Sequence, residues 1–201
     1  ERARAREIRP IVDEADFLLD IHSMQNATEP LVLTGRHEKG RLLAERVGVP
    51  GLIVQDAGHA SGRRMRDYSF FNDPEDPRSS LLVECGQHWS RAAADVAVDV
   101  TYRFLHAMDM IDDDLLEGHV GPPAAPAQTV IEITDAITVM TDSFYFHDDY
   151  VGMEVIPKAG TEIGFDGDKP IQTPHDNCVL VMPSRRLSLG LTAVRLGRFV
   201  E

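Results

Sequence analysis

Residues 15–25, ADFLLDIHSMQ, decide the fold. An apolar run that ends in Asp-x-His before small polar residues has the pattern of a buried strand that carries a histidine to the edge of a sheet. Side chains two apart in a strand share a face, so Asp20 and His22 point the same way, and a carboxylate beside an imidazole can fix its tautomer. That arrangement fits a metal site or a catalytic pair. It fits equally a satisfied, partly buried histidine at the end of a strand.

Residues 81–88, LLVECGQH, repeat the form: a short apolar run ends in an acid, Glu84, and a glycine follows at which the chain can turn or a ligand can approach the backbone. If the two strands are parallel, His22 and Glu84 both sit at carboxyl ends, where open α/β sheets place their ligands. Glu84 is then a candidate general base.

Composition limits the function classes. The chain has 201 residues, enough for one domain or a domain with a small module, and 43% of them are hydrophobic. The formal net charge is −13, with acids in excess both before and after the Pro-rich stretch near residue 122, so no segment offers the basic face that nucleic acid or an anionic membrane needs. No apolar run approaches the roughly 18 residues of a membrane span. Cys85 and Cys178 lie far apart and no Cys-x-x-Cys occurs, which points to free thiols in a reducing, cytoplasmic compartment. The first residue is Glu1, inside a helical pattern, so a preceding segment with any targeting signal is expected to be missing.

Taken in order, residues 1–14 have one apolar face at helical spacing (Ile8, Ile11, Val12), with a kink or restart expected at Pro10. A strand follows over 15–21, a short strand or loop over 30–33, and a helix over 37–47 that Gly48 stops. A third strand over 52–54, a long Gly/Asp/Pro/Arg-rich loop over 56–80, a strand over 81–85 and a helix over 90–108 complete a helix–strand alternation. Residues 112–114 and GHVGPPAAP, 118–126, break the pattern. Beyond them apolar residues alternate at spacing two: Ile131 and Ile133, Phe144 and Phe146, Ile163 and Phe165, Val179 and Val181, then Leu187, Leu189 and Leu191. The expected organisation is an α/β part over 1–117 with a mixed, largely parallel sheet and flanking helices, a Pro/Gly-rich linker over 118–127, and a small all-β domain over 128–201.

Other candidates are weaker. His37-Glu38 begins like the zinc motif His-Glu-x-x-His, but Arg41 stands where the second histidine belongs. Cys85 with His88 would make a nucleophile and base only in an electropositive setting, and Glu84 adjoins the thiol. Arg63, Arg64 and Arg66 with Tyr68, in the loop before the Glu84 strand, could clamp a substrate carboxylate, with Arg66 and Tyr68 as the chosen pair; a solvated basic loop is the alternative. His59, between two glycines in GHASG, is ambiguous in the same way. His106, His119, His147 and His175 show no ligand spacing.

Residues 3–25, ARAREIRPIVDEADFLLDIHSMQ, followed by LLVECGQHW at 81–89, resemble the succinylglutamate desuccinylase and aspartoacylase family, a branch of the zinc carboxypeptidase-like hydrolases. The resemblance runs from the first residues through the helix after Glu84, and the β part resembles that family's C-terminal domain. It implies that His22 is the last of three zinc ligands and Glu84 the general base. The other two ligands, from an earlier His-x-x-Glu motif, and the arginines that follow it would lie upstream of Glu1. The function so implied is Zn²⁺-dependent hydrolysis of the amide of an N-acyl amino acid or related small amide, with a small-molecule substrate, no nucleic-acid or membrane partner, and a homo-oligomer left open. The alternative is a non-catalytic binding protein that keeps the scaffold. Arg66 and Tyr68 rest on the residues alone.

Overall fold

The computed structural model describes residues 2–58, 62–122 and 127–200. Helix α1 (Arg2–Glu14) leads into β1 (Phe17–Met24), then β2 (Leu31–Leu33), α2 (Glu38–Val47) and β3 (Leu52–Gln55). Two short 3₁₀ turns, Met65–Asp67 and Ser69–Asn72, order part of the long loop ahead of β4 (Ser79–Gln87) and α3 (Arg91–Ala107). Among the described residues after α4 (Asp113–Glu117) the regular elements are all β: β5 (Thr129–Thr138), β6 (Phe144–Phe146), β7 (Val155–Ile156), β8 (Glu162–Asp166), β9 (Lys169–Gln172), β10 (Cys178–Val181) and β11 (Thr192–Val200).

Eight strands form one mixed sheet in the order β1-β4-β2-β3-β5-β11-β10-β7, and β6, β8 and β9 form a second, antiparallel one. From β1 to β5 three of the four pairings are parallel; β2 runs against β4. The pattern change after residue 117 is therefore a change of strand connection and not a break in the sheet, because β5 adds in parallel to β3 from Leu52↔Thr129 to Gln55↔Glu132.

Alternation along β4 sorts the core. Leu81, Val83 and Cys85 enter a cluster with Leu43, Val47, Val100 and Phe104 of α2 and α3. Leu82 points the other way, into a cluster with Leu31, Leu33, Val54, Ile131, Val179 and Val181. The first half of the chain therefore has helices on one face and strand β10 of the second half on the other. By the same alternation Glu84 shares the face of Leu82.

Local chemistry explains the helix ends. Gly48 takes φ 79° at the end of α2 and its N–H bonds Ala44 O at 2.9 Å. Gly40 has no room for a side chain: a Cβ there would lie 2.1 Å from Thr34 O. Helix α4, which the sequence reading passed over, begins at Asp112, whose side chain accepts from Leu115 N at 2.9 Å.

Three expectations need correction. Helix α1 does not restart at Pro10 but is assigned continuously from Arg2 to Glu14, since the ring removes only one bond, to Arg6; none of its residues is buried and Ile11 is exposed. The Leu187–Leu189–Leu191 alternation is not a strand; the strand is β11, just beyond it. Its pattern was hidden because Arg195 is buried inside it and because Gly197 sits where a Cβ would approach Ile131 Cγ2 at 2.8 Å. Strand β4 is also longer than the 81–85 run, starting at Ser79, whose N–H bonds Asp16 O.

Because Leu82 packs against side chains from both halves, Leu82→Ala should lower unfolding free energy by about 2–5 kcal/mol. Amide exchange in β4 and in β10 should quicken together. Faster exchange confined to β4 would show that the shared cluster does not couple the halves.

Candidate active site

Strands β1 and β4 pair in parallel with His22 directly opposite Glu84. Six residues in a row hold this register, from Phe17↔Ser79 to His22↔Glu84; it then slips, and Met24 faces Gln87. The slip is taken up at Gly86, whose φ of 118° is open to glycine and strained for other residues. The turn after β4 is tied back to β1, with His88 N–H bonding Met24 O and Ser23 Oγ against His88 Nδ1, both at 2.8 Å.

His22 is exposed and its Nε2 lies 3.0 Å from Asp20 Oδ1, the strand neighbour that shares its face. That hydrogen bond, helped by the charges of Asp20 and Glu84, raises the imidazole's pKa above its ordinary value against the opposing effects of burial and Arg64. With Nε2 engaged, Nδ1 is the nitrogen left for a further partner.

Glu84 is only 6% exposed and its Oε2 has no hydrogen-bond partner among the described residues. Burial pushes its carboxyl up to about 7, against the pull of His22, Arg195 and Arg64. A carboxyl that titrates near neutrality can both take and give a proton.

Beside this pair lies a buried charge cluster. Asp56, just past β3, accepts the Arg64 fork at 2.7 and 2.9 Å and Arg195 Nε at 3.3 Å. Asp67 accepts from Arg64 at 2.5 and 3.1 Å and from Arg66 at 2.6 Å. Burial opposes the charge on Asp67, but its two arginines outweigh it and hold the carboxyl below the usual range. Arg64 keeps its proton more tightly than usual for the same reason, whereas burial lowers Arg66 and Arg195.

The remaining sequence candidates fall elsewhere. Arg66 is 2% exposed, and its donors go to Asp67, Thr34 O at 2.8 Å and Ser80 O at 3.3 Å, so in this structure the fork is engaged by protein and not turned to solvent. Tyr68 donates its hydroxyl to Asp13 Oδ1 on α1 at 2.8 Å, away from His22 and Glu84 in its contacts. Cys85 points into the helix-side core with its thiol pushed up to about 11 by burial and by Glu84, which removes it as a nucleophile. His37 bonds Asn72 O and Glu38 pairs with Arg41 on the surface. His59 lies outside the described residues.

Asp56, Asp67 and Arg195 were missed by the sequence reading. Asp56 carried the signal that identified Glu84, an acid at the end of an apolar strand; Arg195, inside a strand, carried none. Arg195 also lines a cleft of about 480 Å³ together with Ser23, Asn26, His88, Met182 and Arg186. Glu84 and His22 do not line it. Its two walls are joined by Asn26 Nδ2 to Pro183 O at 3.3 Å and by Thr28 Oγ1 to Val151 O at 2.7 Å.

No sequence-family model matches the chain, and no curated protein does. Solved structures do. The chain is similar to succinylglutamate desuccinylase from Vibrio parahaemolyticus, with a TM-score of 0.66 and 19% identity over 99% of this chain and 60% of that one. It is similar to a succinylglutamate desuccinylase/aspartoacylase from Rhodobacter sphaeroides, at 0.65 and 14% over 95% and 60%, and to murine aminoacylase 3, at 0.57 and 16% over 98% and 69%. The chain therefore has the succinylglutamate desuccinylase and aspartoacylase fold, as its two strand motifs suggested. It spans about 60% of the length of the first two of these structures.

The raised Glu84 carboxyl has a stability consequence. Its folded-state value lies above the ordinary carboxyl value of 4.5, so its contribution is fully present below about 4.5 and is lost as the pH rises through about 7. Glu84→Gln lacks this dependence. Between pH 4 and pH 8 the variant should gain stability relative to the parent chain, by at most about 3 kcal/mol. Urea titrations of both chains across that range check the sign.

Proposed function

We propose that this chain is the greater part of a metal-dependent hydrolase that cleaves the amide bond of an N-acyl amino acid or related small amide. The observation that carries the proposal is the pairing of His22 with Glu84 across adjacent parallel strands, with the carboxyl buried and tuned to about 7. The fold shared with desuccinylase and aminoacylase structures supports it.

In this reading Glu84 is the general base: its carboxylate takes a proton from the attacking water and then delivers it to the leaving nitrogen, so that an amine departs. Asp20 holds the His22 ring through Nε2. Zinc, with His22 as one ligand, belongs to the proposal for the complete protein only. The residues described do not fit a zinc centre by themselves, since they contain no group of three His, Cys, Asp or Glu side chains able to hold a metal, and a catalytic zinc takes three protein ligands. The remaining ligands would come from chain beyond residues 1–201, as the greater length of the similar structures allows. Arg66 and Tyr68 stay in the proposal only as walls of the loop before β4, because their polar atoms are engaged by Asp67, Thr34, Ser80 and Asp13.

The same single-imidazole site favours the second reading, a binding protein that keeps the scaffold without chemistry. As to place and partners, no described helix is long and apolar enough to cross a membrane, and the two cysteines are buried and free. With a net charge of −13 they support our reading of a cytoplasmic protein that does not bind nucleic acid. A homo-oligomer remains compatible with it.

Two measurements test the proposal. In the complete protein, Glu84→Gln should lower turnover of an N-acyl amino acid by about 100-fold or more with zinc content unchanged. Turnover near that of the parent would remove Glu84 from the mechanism. Metal analysis of the 201-residue chain should find no stoichiometric zinc; zinc held there through His22 would show that the site had been misread.

A further inference from the structure

The long loop before β4 and strand β11 meet at one buried acid. Asp56 is 2% exposed and takes hydrogen bonds from two guanidiniums, one eight residues along the chain and the other 139 residues away. Arg64 belongs to the loop, and Arg195 sits on β11, where it is 4% exposed and faces Val181 and Ala136 in the ladders. Both bear on the candidate site: the charges of Arg195 and Arg64 pull down the proton affinity of Glu84, and Arg64 does the same to His22.

We propose that Asp56 is a positioning residue that holds the Arg64 and Arg195 guanidiniums in place beside the His22–Glu84 pair. Like charges brought together out of water separate unless a carboxylate lies between them. The bidentate fork from Arg64 fixes one face of Asp56, and the longer bond from Arg195 Nε takes the same Oδ2 that receives Arg64 Nη1. Asp67 completes the arrangement on the other side of Arg64 and turns Arg66 away from the site, towards Thr34 and Ser80. Of the three arginines, Arg64 and Arg195 are the two whose charges act on Glu84, and Asp56 bonds both. Charges so fixed in advance stabilise a transition state without having to reorganise. Arg195 lines the cleft at one end and bonds Asp56 at the other, so the same clamp ties the second half of the chain to the site of the first.

The catalytic consequence rests on the amide-hydrolase reading, whereas the clamp itself does not. The experiment therefore has two readouts on the complete protein. The first is exchange of the Arg195 Nε–H with solvent, followed by NMR, which should quicken about tenfold or more in Asp56→Asn because the charge that holds the donor is gone. Unchanged exchange would overturn the proposal whether or not the protein is an amidase. The second is hydrolysis of an N-acyl amino acid. Asp56→Asn should lower kcat about tenfold or more with KM changed less than about threefold, and Asp56→Glu should lie between the two. If Asp56 acts through Arg195, adding Arg195→Gln to Asp56→Asn should cost little beyond the larger single loss. Losses that multiply, or a kcat for Asp56→Asn equal to the parent's, would overturn it. Should Asp56→Asn fail to fold, Asp56→Glu carries the test, and a kcat equal to the parent's in that variant has the same force. No hydrolysis by the parent protein would count against the amidase reading and leave the exchange measurement to judge the clamp.

Discussion

The parallel pairing of β1 with β4 is the constraint on which the rest depends. It sets His22 opposite Glu84 through six consecutive register positions, and it ends at a slip where Gly86 turns the backbone. A shift of one residue in that register would send either the histidine or the acid to the helix-packed face, where Leu81, Val83 and Cys85 leave no place for charge. The tie of His88 to Met24 and Ser23 closes the far end of the ladder and keeps the register from sliding.

What makes the pair chemically interesting is the second half of the chain. Glu84 lies on the face that Val179 and Val181 cover, and the same covering brings Arg195 over from β11. Burial raises the carboxyl while the arginines and His22 restrain the rise, and the balance leaves it near neutrality. Without the covering strands, Glu84 would be a solvated acid at a sheet edge with nothing to set it apart from the other acids of this chain.

The buried charges show the same dependence at a larger scale. Five ionised side chains share one region, and each is tolerable only because a partner of opposite sign is within hydrogen-bond distance. Arg66 illustrates how such a cluster redirects a residue. In sequence it looks like a substrate clamp on a loop; in the fold its fork props that loop against β2 and β4 through Thr34 O and Ser80 O.

The amino-acid order by itself determined the strands that matter and their polar endings. Asp-x-His and the Glu-Cys-Gly turn each carry a local signature, so β1, β4, the helices around them and the shared face of Asp20 with His22 were all legible, as was the β character of residues 128–201. Periodicity and turn residues act over a few positions, and sequence records them directly. Tertiary structure alone decided that β5 extends the first sheet, that the second half buries Glu84, and that Asp56, Arg64 and Arg195 converge. Those contacts join residues as far apart as 56 and 195 in the chain. No local pattern specifies such a meeting, because what stabilises it is the removal of charge from water, and that exists only once the strands have packed.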